Sequence, residues 1–76
     1  MIKKRITPEL RAKAWALKAL REQLNESQGE FAKRFDTGRT TILRWERPQG
    51  YPTYPPIASH VDRVCAKIRR LLDKRA

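Results

Sequence analysis

Four stretches of the chain repeat apolar residues at helical spacing, and none alternates them at the two-residue period of a strand over a useful length. Leu10, Ala14, Leu17, Leu20 or Arg21, and Leu24 step by three and four, while Arg11, Lys18 and Glu22 fall elsewhere. This spacing predicts one buried face on a first helix over 8–24. Thr7 can cap that helix, and Pro8 suits its first position because the N–H it lacks would be unpaired there anyway. Ser27-Gln28-Gly29-Glu30 has the spacing of a capping box: the serine hydroxyl takes the third backbone N–H and the glutamate reaches back to the serine N–H. A short second helix therefore starts at Gln28, presents Phe31, Ala32 and Phe35, and stops at Asp36-Thr37-Gly38. Small polar residues in that tight turn tolerate left-handed or capping conformations. From Arg39 to Glu46, Ile42 and Trp45 share one face, while Arg39, Thr40, Leu43, Arg44 and Arg47 occupy the other.

Pro48 ends this third helix, and the proline-rich run to Pro56 is expected to be an extended connection. From about Ile57, Val61, Val64, Ile68 and Leu71 follow steps of four and three, with Cys65 and Leu72 alongside. A fourth helix over about 57–74 follows, although Ser59 with Asp62 offers a competing start inside it. The expected fold is all-α: four helices in residues 7–76, behind a flexible basic arm over 1–6.

Length and charge narrow the function. Seventy-six residues make one small domain with a modest core. A net charge of +10 exceeds what solubility requires and points to a polyanionic partner. A single cysteine, Cys65, excludes an internal disulfide framework, and a single histidine, His60, argues against a Cys/His metal site. Neither metal nor cofactor is expected, and a reducing cytoplasm fits best. Met1 to Arg5 resembles the basic front of a signal peptide, but the longest unbroken apolar run is Ala14 to Leu17, so neither export nor a membrane span is expected. Enzyme chemistry finds no support: there is no phosphate-binding glycine loop, and His60 and Cys65 do not line up on one helix face. Trp15 and Cys65 read as packing residues.

The unit from Gln28 to Glu46, a helix, a tight turn and a helix, is the arrangement that sets a second helix in the DNA major groove while the first crosses the phosphate backbone. An arginine on such a helix can make paired hydrogen bonds to guanine O6 and N7, and Leu43 can touch a thymine methyl. The N-termini at Gln28 and Arg39 offer unpaired N–H groups to phosphates. The bland alternative is a solvated cationic face. Across Leu20-Arg21-Glu22-Gln23-Leu24, Ser27-Gln28-Gly29-Glu30-Phe31-Ala32 and Thr41-Ile42-Leu43-Arg44-Trp45-Glu46, the central part of the chain resembles the Cro/cI-like (XRE-type) helix-turn-helix family.

The resemblance implies a lambda-repressor-like domain in which Arg39, Thr40 and Arg44 read bases and Gln28 binds a phosphate. It also implies that Arg21 and Glu46 form a structural ion pair tying the first helix to the third. Thr41, Arg47 and Lys33 are further phosphate candidates, and Lys3, Lys4 and Arg5 can add salt-sensitive affinity as an arm. The chain departs from the family at Asp36, where glycine is usual, at Glu26, where an apolar residue is usual, and at Gly38, where a serine cap is usual. Trp45-Glu46-Arg47-Pro48-Gln49-Gly50-Tyr51 is also similar to the winged helix-turn-helix of MerR-like and excisionase-like proteins, but the long helix before the motif favours the Cro/cI reading.

The expected function is therefore sequence-specific binding of double-stranded DNA by a transcriptional regulator, a repressor in the cytoplasm held at the nucleoid through its DNA. Its apolar positions Val61, Val64, Ile68, Leu71 and Leu72 are candidates for a homodimer seam, though an intramolecular core gives the same spacing. A symmetric dimer places two recognition helices about 34 Å apart and requires an inverted repeat. Tyr51 and Tyr54 can meet phosphates or a partner, or pack over the core. The competing readings are an antitoxin-type protein with a protein partner and a basic protein that binds nucleic acid without sequence preference.

Overall fold

Thr7 opens the first helix through its hydroxyl, which accepts from the Leu10 N–H at 3.2 Å, and Pro8 takes the first helical position. In the computed structural model, which describes residues 5–75, this helix, α1, spans Pro8–Gln23. It is followed by α2 (Gln28–Lys33), α3 (Arg39–Trp45), a 3-10 turn at Pro48–Gly50, and α4 (Pro55–Arg75). The described residues contain no strand, so the fold is all-α.

Both sides of the capping box form, with Ser27 Oγ accepting from the Glu30 N–H at 3.1 Å and Glu30 Oε1 accepting from the Ser27 N–H at 3.0 Å. Asn25 and Asp36 take left-handed backbone angles, φ 56° and 55°, and so reverse the chain on either side of α2. Each helix turns its apolar face to one core. Phe31, Leu17, Ile42, Ile68 and Val61 are its largest fully buried side chains, each contributing about 1.5–3 kcal/mol by leaving water. The Phe35 ring meets Phe31 and Trp45 edge to face, at 5.0 and 5.8 Å between centroids, which joins α2 to α3 across their turn. His60 Nε2 donates to the Phe35 carbonyl at 3.0 Å and fastens α4 to the same turn.

Several expectations are corrected. The run from Pro48 to Pro56 stays non-helical only over 51–54, with Tyr51 extended: Pro48 starts the 3-10 turn, and Pro55 and Pro56 open α4, two residues before Ile57. Proline suits both places because the first N–H groups of a helical turn have no partner to lose. The turn before α3 is longer than Asp36-Thr37-Gly38, since α2 ends at Lys33, although Phe35 beyond it is still buried. Trp15 is no packing residue: it is 79% exposed, because its position on α1 lies well off the face of Ala14, Leu17 and Leu20. Cys65 does pack in the core, where burial pushes its thiol up to about 11, leaving it protonated and unreactive at neutral pH.

Val61 and Ile68, expected at a dimer seam, are 0% and 2% exposed inside the chain's own core, so neither is free to meet a second copy. Val64 and Leu72 are partly buried against that core, and Leu71 alone of the five is exposed. Tyr51 also belongs to the core, and burial raises its hydroxyl to about 12, whereas Tyr54 is exposed. Among the described residues no helix is long and apolar enough to cross a membrane.

Candidate nucleic-acid interface

The two faces of α3 are unlike each other. Ile42 and Trp45 face the core, 0% and 9% exposed, while Arg39, Thr40, Leu43 and Arg44 are all exposed. The buried pair fixes the helix's roll about its axis, so the opposite side presents two guanidinium groups, a hydroxyl and an isobutyl group together. Gly38 caps α3 without a side-chain hydrogen bond, so the first N–H groups of the helix carry no side-chain cap. Thr40, Leu43, Arg44 and Arg47 line one shallow depression on this side.

A polar lock holds α3 against α1 and α2. Arg21 meets Glu46 through two hydrogen bonds, Nε to Oε2 at 2.6 Å and Nη2 to Oε1 at 3.2 Å, and its Nη1 donates to the Glu26 carbonyl at 3.1 Å. The Gln28 amide adds a third bond to the carboxylate, to Oε1 at 3.3 Å. The two side chains of the ion pair retain only 16% and 6% of their exposure, so each charge depends on the other for what water no longer supplies. Glu46 holds the Arg21 guanidinium further into its charged form, against the opposing effect of burial. The pair expected between α1 and α3 is thus formed, and Gln28, the first residue of α2, is drawn into it with its side chain turned to Glu46.

The remaining candidates fall unevenly around this centre. Arg47 is exposed and borders both the α3 depression and a cleft that also includes Lys18, Arg21, Gln28, Leu43 and Glu46. Thr41 is partly buried, and Lys33 is exposed at the end of α2 but borders neither hollow. Arg5 is exposed, while Lys3 and Lys4 lie outside the described residues.

Three supporting features escaped the sequence reading. Lys18, placed only off the buried face of α1, lies beside Leu43 and Arg47; its position one turn before Arg21 carries the signal. Glu26, where an apolar residue was expected, instead clamps Arg34: Oε1 and Oε2 accept from Nε at 2.8 and 3.1 Å, and Oε2 accepts from Nη2 at 2.7 Å. Gly50 passes so close behind α3 that a Cβ there would lie 2.2 Å from the Arg44 carbonyl oxygen. A glycine two residues after a proline carries that signal only once the turn they form is known to fold back on α3.

This arrangement can do one kind of chemistry well. It sets exposed arginines and small hydrogen-bonding and apolar groups on a braced helix. Among the described residues no cluster of His, Cys, Asp and Glu has the makings of a metal site. No family model, curated protein or solved structure matches the chain.

Proposed function

We propose that the chain is a sequence-specific double-stranded DNA-binding regulator of the Cro/cI-like helix-turn-helix kind, with α3 as its recognition helix. The observation that carries this reading is the division of α3 into a face buried through Ile42 and Trp45 and an exposed face of Arg39, Thr40, Leu43 and Arg44. Arg39 and Arg44 are the donors for guanine edges, each paired contact discriminating by about 1–3 kcal/mol, and Leu43 is the contact for a thymine methyl. Arg47, Thr41 and Lys18 around them serve the flanking phosphates, fixing register without reading sequence, and Gln28, whose amide donates one N–H to Glu46, has its second amide N–H for the same role. The Arg21–Glu46 lock is what keeps α3 in place as the helix enters the groove, and so acts on affinity through structure.

A repressor acting as a homodimer on an inverted repeat is the form of regulation we favour. With Val61 and Ile68 in the core, its seam falls to Leu71 with the exposed edges of Val64, Leu72 and Ile57 along α4. The winged MerR-like or excisionase-like reading loses its support, because a wing is a strand hairpin and none occurs among the described residues. An antitoxin-type partner or binding without sequence preference predicts a different response to mutation. Selection from a random duplex library near 0.15 M salt, with Arg44→Ala in parallel, separates these readings. Enrichment of an inverted repeat, altered or lost in the variant, supports the dimeric regulator; equal binding to every duplex by both proteins overturns it.

A further inference from the structure

Trp15 is 79% exposed, the highest value among the large apolar side chains at the surface, and the reading above assigns it nothing. On α1, Arg11, Trp15, Lys18 and Glu22 follow helical steps of four, three and four, and all are exposed. This stripe lies away from α4, whose flank of α1 is marked by Lys13 and Ala16 in a groove shared with Asp62 and Arg69. Lys18 connects the stripe to α3. It borders the cleft with Gln28, Leu43 and Arg47 on one side and the hollow between Trp15 and Glu22 on the other.

We propose that the Arg11–Trp15–Lys18 stripe is a second contact for a DNA sugar-phosphate strand, continuous with the α3 face. This inference rests on α3 being the helix that enters the groove. Arg11 and Lys18 take successive phosphates, and the indole lies on the deoxyribose between them with its N–H available to a phosphate oxygen. Charge complementarity selects this occupant: the indole is bracketed by cations one turn to either side, and the one carboxylate of the stripe, Glu22, stands at its far end. A protein partner suits the site less well, because lysine and glutamate, here Lys18 and Glu22, are depleted from protein interfaces and Trp15 is the one exposed large apolar side chain on α1.

Tryptophan fluorescence tests this directly, since the second indole, Trp45, is 9% exposed and Trp15 is the one open to solvent. The probe is a mixed-sequence duplex of about 30 base pairs at low salt, long enough for two helical turns. The quencher is acrylamide, which is neutral and is not itself repelled by the duplex. The expected result is that saturating duplex removes most of the quenching. Trp15→Ala, with an unchanged circular dichroism spectrum, should bind the duplex about five- to ten-fold more weakly, the order set by losing part of an indole's burial. Lys18→Ala should lower the salt slope by about one. Trp15 left equally open to acrylamide in a parent that does bind the duplex, with parental affinity in Trp15→Ala, overturns the α1 contact and leaves the α3 reading standing. Failure of the parent to bind any duplex overturns both.

Discussion

Replacing Arg21 by alanine strands the Glu46 carboxylate. The ion pair's two hydrogen bonds and the Arg21 bond to the Glu26 carbonyl disappear, and Glu46 keeps only the 3.3 Å bond from Gln28. Breaking a fully buried pair by removing one partner costs about 3–5 kcal/mol. Arg21 retains 16% of its side-chain exposure, so water entering the space it vacates recovers part of that, and the expected loss is about 2–3 kcal/mol. A domain of this length has only about 4–11 kcal/mol to lose. The melting temperature should therefore fall by about 10–20 °C, read by circular dichroism and checked by urea unfolding with an unchanged m-value. Two variants sharpen the test. Arg21→Met with Glu46→Leu should recover most of the loss, since neither charge is then left alone. Arg34→Ala, which breaks the more open pair with Glu26, should cost about 0.5–1 kcal/mol. An Arg21→Ala protein as stable as its parent to within about 0.5 kcal/mol would refute the reasoning. So would a drop in DNA affinity, corrected for folding, larger than the drop in stability, because Arg21 would then be a contact residue.

Other perturbations probe the turns around α3. Asp36→Gly removes a left-handed Cβ at φ 55° and should stabilise by about 0.5–1 kcal/mol; a lower melting temperature would show that the aspartate holds a contact worth more than its strain. Gly50→Ala puts a Cβ 2.2 Å from the Arg44 carbonyl oxygen, and the forced shift should cost about 1–3 kcal/mol in urea unfolding, against no change if the 3-10 turn sits elsewhere. The Ser27 N–H and hydroxyl hold the Glu30 carboxyl below its ordinary 4.5. A depressed carboxyl supports the fold above the unfolded value and loses that support as pH falls through the lower folded one. The stability gap between parent and Glu30→Gln should thus be present at neutral pH and close in acid; a gap that stays constant down to about pH 2.5 would contradict the capping box.

Local chemistry was the most legible part of the chain. Thr7 before Pro8, and Ser27 three residues before Glu30, specify helix starts through bonds within one turn, and both formed. Asp36 was readable as left-handed because few side chains accept that conformation, and the Arg21–Glu46 pair because the family resemblance placed it. What failed required knowledge of packing. Period alone cannot say whether an apolar stripe meets its own chain or another, so Val61 and Ile68 read equally as seam or core until the helices were placed. Trp15 was assigned to packing by residue type when its angular position on α1 already set it off the buried face. The Glu26–Arg34 clamp spans a cap and a helix end, a distance no helical spacing rule covers. A proline after Trp45 reads as a breaker of helix, whereas Pro48 begins the 3-10 turn and Pro55 begins α4.

The most direct measurement is the specificity ratio: the affinity for the best duplex obtained by selection over that for a scrambled duplex of equal length, at about 0.15 M salt, for the parent and Arg44→Ala. The account predicts a parental ratio of at least about 1,000 that falls ten-fold or more in the variant, while the scrambled duplex loses far less. A ratio near one in both proteins, with a steep salt dependence, would contradict it and leave the charge of +10 as a sequence-blind anchor.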